Sequence, residues 1–322
     1  MRAVQVIAPG KAIFVDTPKP EMQAGHVLVR TRQISLCGSD VHMLYHARPE
    51  EYPHPPGTTG HEVVGVIEAV DAPGANLRVG DPVLALVRGQ AGMAEYNLLP
   101  TEHIVPLPPA KPMDHMLQAQ QLGTVIYGAK RLPNLMDKDV VVVGQGSAGL
   151  WFDFITRRMG ARRVIGIDLQ AHRLTLSPRY GATHTMHNAA ADPLQAVREI
   201  TEGRLVDVVI EAAGEVESIN LSLELVKQYG FLLFFGVPRG VVMPFDMDRF
   251  FRKCVQSQTI VGAMNDPEQS CTWMAMELLA SGIADAGPMI THHIPFAQVM
   301  DAYDLQNTRD EGSVKIVVDF PE

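Results

Sequence analysis

The most constraining stretch of the chain is Asp139-Val140-Val141-Val142-Val143, followed at once by Gly144-Gln145-Gly146-Ser147-Ala148-Gly149. A continuous run of β-branched apolar residues suits a parallel strand covered on both faces. The glycines fit G-x-G-x-x-G, a pattern that by itself marks many turns. Here it lies between an apolar strand and a helix-like stretch, Ala148 to Arg158, which is the context a dinucleotide-binding turn requires. In such a turn the first glycine permits the bend. The second lets backbone N–H groups approach a pyrophosphate, and the third lets helix and strand pack closely. The helix N-terminus adds a dipole that favours the anion. Gly144, Gly146, Ser147, Ala148 and Gly149 are therefore candidate cofactor contacts.

Asp168 ends the next strand, nineteen residues after Gly149. A carboxylate there would accept the ribose hydroxyls of NAD and repel a 2′-phosphate, so NAD is expected over NADP. The competing reading is an Asp that caps a helix. Leu169 and Gln170 supply no cation; His172 and Arg173 come slightly late, and Arg173 is kept as a candidate cofactor contact.

Apolar runs and helix-like segments keep alternating after this turn: strand Arg163 to Ile167, helix Ala171 to Arg179, strand Val206 to Ile210, helix Val216 to Lys227, strand Phe231 to Phe235. This order predicts an α/β, doubly wound, right-handed parallel sheet. Ala212 and Val237, at strand ends, are candidate backbone contacts for a carboxamide. The first 110 residues read differently. Short strand-like runs such as Val27–Arg32, Glu62–Val70 and Asp81–Leu86 are divided by Pro and Gly turns, as in a partly closed β-barrel. The tail carries a helix over Gln269–Leu279, another near Phe296–Tyr303 and a strand over Ser313–Asp319. By periodicity alone it extends the parallel sheet.

A length of 322 residues allows two modest domains. The net charge of −9, without basic clusters, argues against nucleic acid or an anionic membrane as a partner. No apolar run reaches the length of a membrane span, and Met1–Lys11 is too soon broken for a signal peptide. Cys37, Cys254 and Cys271 form no disulfide framework, which points to a reducing cytoplasm.

Cys37-Gly38-Ser39-Asp40-Val41-His42 puts a thiolate ligand, a hydroxyl and an imidazole in one turn, and Gly60-His61-Glu62 follows downstream. Cys37 and His61 are donors that suit zinc. They are far apart and no C-x-x-C is present, so this is no zinc finger; a catalytic site needs three protein ligands and an open position, and a lone histidine is more often a surface or core residue. Cys254 and Cys271 read as small core hydrophobes.

These two motifs, Gly80-Asp81-Pro82-Val83, Gly92-Met93-Ala94-Glu95-Tyr96 and the loop at Gly144 occur in this order, with Gly312-Ser313-Val314-Lys315 near the end. In this the chain resembles the zinc-dependent medium-chain dehydrogenases, most of all their sorbitol, threonine and sugar dehydrogenase branch. The resemblance implies a GroES-like β-barrel catalytic domain over residues 1–125 and 264–322, with a Rossmann domain over 126–263. The tail then returns to the barrel. It implies zinc ligands at Cys37 and His61, with Glu62 binding directly or transiently. The third ligand, usually Cys or Glu, falls on Gln121 here, so Glu62, Gln121 or water completes the shell. The family's lobe of four close cysteines is replaced by Val87–Ala91, so one zinc per chain is expected.

The activity implied is hydride transfer from a secondary alcohol (a polyol, a sugar, or a hydroxy- or amino-acid-like molecule) to NAD. Ser39 would accept the hydroxyl proton and His42 would pass it to solvent; Ser39 is also read as the N-cap of a short helix through Leu44. Asp40 is expected to orient the loop. Lys315 lies either near the pyrophosphate or on the solvated surface. Family members are dimers or tetramers, which makes Phe231–Phe245 a candidate interface. Two other readings remain: a metal-free enone or quinone reductase of the same fold, and a non-catalytic NAD-binding member. Cys37 with His61 argues against the first, and Ser39 with His42 against the second.

Overall fold

Apolar residues, many of them β-branched, separated by turn-formers build the first seven strands: β1 (Arg2–Ala8), β2 (Lys11–Asp16), β3 (His26–Ser35), β4 (Glu62–Asp71), β5 (Pro82–Leu86), β6 (Tyr96–Pro100) and β7 (Ile104–Pro106). The computed structural model describes residues 1–262 and 265–321 of the 322. Six more strands follow, β8 (Asp139–Val143), β9 (Arg163–Asp168), β10 (His184–His187), β11 (Val206–Glu211), β12 (Val226–Phe234) and β13 (Gln256–Thr259), and then β14 (Ile290–Pro295) and β15 (Lys315–Asp319). The chain divides into two units, Met1–Gly123 with Ala263–Glu322, and Thr124–Gly262. The expected first break was 125/126; the expected return at 263/264 lies outside the described residues.

In the first unit, β1 and β2 form an antiparallel pair. The other strands make a sheet ordered β14-β15-β3-β4-β5-β7, with β6 also on β3. β15 runs antiparallel to β3. The tail therefore joins this sheet and does not extend the parallel one. Val27, Val29, Ile34, Val63, Ile67, Ile316 and Val318 are among the residues of its buried core. Each such side chain contributes about 1.5–3 kcal/mol by leaving water.

The second unit holds a sheet ordered β10-β9-β8-β11-β12-β13, with every pairing parallel. Every residue of β8 is buried, as its unbroken apolar run requires. Val141, Val143, Ile165, Ile167, Val209 and Leu232 share one core. Trp151 and Phe152 on the helix Ser147–Arg158 are fully buried.

Two expected elements differ. The helix over Ala171–Arg179 is two short ones, Ala171–Leu174 and Ser177–Tyr180. Pro178 stands at the start of the second; lacking an N–H, it suits a helix start and not a helix middle. The helix from Val216 ends at Leu225, and β12 begins at Val226 with a register shift against β11. β10 and β13 have no apolar run to announce them; β13, Gln-Ser-Gln-Thr, is exposed along its whole length at the sheet edge. Among the described residues, no helix is long and apolar enough to cross a membrane.

Candidate metal centre and dinucleotide loop

Cys37, His61 and Glu62 converge in the first unit, with one potential ligand atom from each within 4.8 Å of the others. Cys37 closes the loop after β3 and is the N-cap of the short helix Gly38–Val41. His61 and Glu62 lie where β4 begins. Asp40 ties the two segments together: Oδ2 accepts from the Cys37 N–H and Oδ1 from the Gly60 N–H, each at 2.8 Å. Asp40 is fully buried, which pushes its carboxyl up against the pull of His61 and the two N–H donors.

Enclosure raises the Cys37 thiol, but the hydrogen bond and charge of His61 outweigh it, and the net direction is down. Enclosure lowers His61, and Cys37 more than offsets it, bringing the imidazole to about 9. The two groups pull in opposite directions: His61 favours the ionised thiol, and Cys37 favours the protonated imidazole.

Several donor atoms at this point are buried without a hydrogen-bond partner: Glu62 Oε1, Gln121 Oε1, Ser39 Oγ and His61 Nδ1. An orphaned buried acceptor costs about 1–3 kcal/mol. A thiolate, an imidazole and a carboxylate suit zinc, and an ion would satisfy such acceptors. The residues therefore fit the metal. Gln121 Nε2 donates a long bond, 3.9 Å, to Cys37 Sγ; a half-turn of the amide would exchange Nε2 and Oε1.

Lys315 is not on the solvated surface. It is fully buried, and its Nζ lies 2.6 Å from Glu62 Oε2. Strand register explains this. Ser35 stands opposite both Glu62 on β4 and Val317 on β15. Lys315 is two residues before Val317 and so shares its face. Ser35 Oγ also donates to Glu62 Oε2. Lysine and serine together hold one carboxylate oxygen and leave Oε1 unpartnered.

Ser39 is buried, one position inside its helix; the N-cap expected of it is Cys37 instead. His42 opens the π-helical turn His42–His46 that follows. Upstream of His61 the backbone is strained: Thr59 has φ 88°. For a β-branched residue this is an outlier, costing about 1–3 kcal/mol. Its hydroxyl and the Tyr303 hydroxyl, both buried, are 2.6 Å apart.

In the second unit, Gly144 has φ 93°, and a Cβ on Gly149 would fall 1.8 Å from the Gly144 carbonyl oxygen. Both positions demand glycine. A Cβ on Gly146 would meet nothing nearer than Arg173 Nη1 at 3.7 Å, so this N-cap glycine faces open space beside a guanidinium. Ser147, Ala148 and Gly149 form the first turn of the helix. Asp168 ends β9; its Oδ2 accepts from the Gln145 N–H at 2.6 Å and its Oδ1 from the Gln170 N–H at 2.7 Å. Ala212 N–H donates to Val143 O, and a Cβ on Gly214 would collide with Val237 O at 2.1 Å, which places Ala212 and Val237 on neighbouring loops beside β8.

The sequence motifs do not include Ser35, Glu211, Thr59 or Tyr303. Glu211 Oε1 accepts from Ala213 N, Gly214 N and Ser218 Oγ, fixing the loop that carries Ala212. Its signal was an acid at the end of an apolar strand before Ala-Ala-Gly. Ser35, Thr59 and Tyr303 act through pairings distant in sequence and leave no local signal.

Residues 23–109 match the family model of the alcohol dehydrogenase GroES-like domain, and residues 149–281 that of the zinc-binding dehydrogenases. The L-threonine 3-dehydrogenase of Shewanella frigidimarina is 26% identical over 98% of each chain. Among solved structures, the alcohol dehydrogenase of Thermus sp. ATN1 is 23% identical with a TM-score of 0.82, covering 100% of each chain. A candidate zinc-binding dehydrogenase from Sinorhizobium meliloti bound to NADP is 23% identical with a TM-score of 0.83, covering 99% of this chain and 98% of that one. With its strand order, its clustered Cys37, His61 and Glu62 and its glycine loop, the chain belongs to the zinc-dependent medium-chain dehydrogenases, a family of oxidoreductases.

Proposed function

We propose that this protein oxidises a secondary alcohol with NAD, using one zinc ion per chain. The observation that carries the reading is the convergence of Cys37, His61 and Glu62 around buried, unpartnered donor atoms. Cys37 and His61 would hold the metal, with Glu62 Oε1 and Gln121 Oε1 as the further oxygens. Zinc, when bound, supplies a Lewis acid that makes a hydroxyl more acidic. Ser39 Oγ, buried and without a protein partner, is available to accept the substrate's hydroxyl proton. His42, three residues on, has an imidazole's intrinsic suitability for carrying that proton to solvent. Asp40 holds the Cys37 and Gly60 backbones, and Lys315 and Ser35 hold the far oxygen of Glu62.

The glycine loop would seat the pyrophosphate against Gly146, with Arg173 as its countercharge. Asp168 favours NAD, because its carboxylate would repel a 2′-phosphate. Ala212 and Val237 would contact the carboxamide. The relative's name, L-threonine 3-dehydrogenase, favours a hydroxyl on a small polar molecule, and polyols, sugars and hydroxy acids stay within that class. A cytoplasmic homodimer or homotetramer is in keeping with the reading, with Phe231–Phe245 beside the exposed edge strand β13 as an interface.

The test is a panel of polyols, hydroxy acids and amino alcohols with NAD and NADP in parallel. The reading predicts turnover on at least one secondary alcohol with NAD preferred, and a weakened NAD preference in Asp168→Ala. Preference for NADP in the wild type would overturn the cofactor assignment.

A further inference from the structure

Thr59 and Tyr303 make a buried polar contact that neither the reaction nor the fold family's motifs call for. Tyr303 lies on the helix Val299–Thr308 and is 2% exposed; Thr59 is fully buried. Their hydroxyls are 2.6 Å apart, and burial pushes the Tyr303 phenol far up, so it stays a neutral donor or acceptor. Thr59 stands two residues before His61, in a left-handed conformation that a β-branched residue adopts only when its surroundings impose it.

The surroundings can be enumerated. Thr59 N–H donates to Gln90 O at 2.7 Å, and Thr59 O accepts from Gly92 N and Met93 N at 3.1 and 3.0 Å. The next residue, Gly60, gives its N–H to Asp40 Oδ1. The backbone on either side of the ligand pair is therefore pinned by main-chain bonds and by one carboxylate. The hydroxyl contact to Tyr303 is the only tie in this set that comes from the C-terminal helix of the unit.

We infer that the Thr59–Tyr303 pair is a positioning device for zinc: it holds the strained Thr59 conformation and so presets the approach of His61 and Glu62 to Cys37. This rests on the reading of Cys37, His61 and Glu62 as zinc ligands. Tyr303 touches neither metal nor substrate in this account and acts through Thr59 alone. Supporting contacts of metal ligands typically govern metal affinity, because they preset ligand orientation.

The test measures zinc affinity of the metal-free full chain by competition with a chromophoric chelator, together with the thiolate-to-metal absorption of the cobalt-substituted protein. Tyr303→Phe should weaken zinc binding about 10–100-fold and shift the cobalt spectrum. A Thr59→Val/Tyr303→Phe protein guards against simple misfolding, since removing both hydroxyls leaves no orphaned partner. It should regain thermal stability while zinc affinity stays low. Zinc affinity of Tyr303→Phe within about threefold of wild type, beside a wild type that binds stoichiometric zinc, overturns the positioning role and leaves the metal centre standing, since supporting contacts normally shift affinity by more. A recovery of zinc affinity in the double variant overturns it too, because the contact was then merely structural. A wild type that binds no zinc overturns the metal reading and this inference with it.

Discussion

Replacing Lys315 with Met probes the electrostatics of the metal centre. Lys315 and Glu62 are both 0% exposed, and their charged atoms are 2.6 Å apart. The substitution fills a similar volume and leaves the Glu62 carboxylate buried with only Ser35 to stabilise Oε2. Breaking a buried pair from one side costs about 3–5 kcal/mol, because the remaining charge is uncompensated. At about 2–4 °C per kcal/mol for a unit of this size, the melting temperature of the metal-free protein should fall by about 6–20 °C. Three comparisons make the result interpretable. Lys315→Arg should lose less, since it keeps the charge. Glu62→Gln/Lys315→Met should recover much of the loss, because no charge is left buried. Zinc should narrow the gap between Lys315→Met and wild type, since the ion supplies positive charge beside Glu62 Oε1. Urea titrations followed by circular dichroism, with and without zinc, read all three. A metal-free Lys315→Met protein within about 1 kcal/mol of wild type would refute the reasoning, since an uncompensated buried charge costs more than that.

Two further outcomes follow from buried titratable groups. In the metal-free protein His61 is raised from 6.5 to about 9, so its contribution to stability is complete below 6.5 and disappears as pH rises through 9. Zinc requires the neutral imidazole, so binding must expel that proton; zinc affinity should climb with pH up to about 9 and then level off, and calorimetry in buffers of different ionisation enthalpy that finds no proton release at pH 7 would contradict this. Asp153, fully buried in the second unit, has its carboxyl held well above the usual range by burial, only partly offset by the Gln145 amide, and neither oxygen makes a well-formed hydrogen bond. The folded state therefore binds a proton that the unfolded state releases, and stability should fall as pH rises above 3.8. Asp153→Leu should remove that fall and gain about 1–3 kcal/mol at neutral pH; unchanged stability and pH dependence in chemical denaturation would show the carboxyl to be satisfied.

The parts legible in the sequence are those whose physics is local. The unbroken valines of β8, the steric demand for glycine at Gly144 and Gly149, and the acid ending β9 are each set by neighbours within a few residues. Cys37, His61 and Glu62 were legible as donor types, and their meeting follows from the pairing of β3 with β4 that puts Ser35 opposite Glu62. Lys315 shows the limit. Its burial depends on β15 lying beside β3, a contact across most of the chain, and its charge alone suggests the surface. Thr59 is hidden for the same reason, since its backbone strain and its Tyr303 partner have no counterpart in local pattern. The polar edge strands β10 and β13 show that a strand can be made by its neighbours without an apolar signature of its own.

The central claim is tested most directly by measuring metal content and alcohol-dependent NAD reduction on the same samples of wild type and Cys37→Ser, before chelation, after chelation and after zinc is returned. The account predicts stoichiometric zinc in the wild type, turnover that vanishes on chelation and returns with zinc, and a Cys37→Ser protein that folds yet lacks both metal and turnover. Undiminished turnover in the stripped wild type, or in Cys37→Ser, would contradict it.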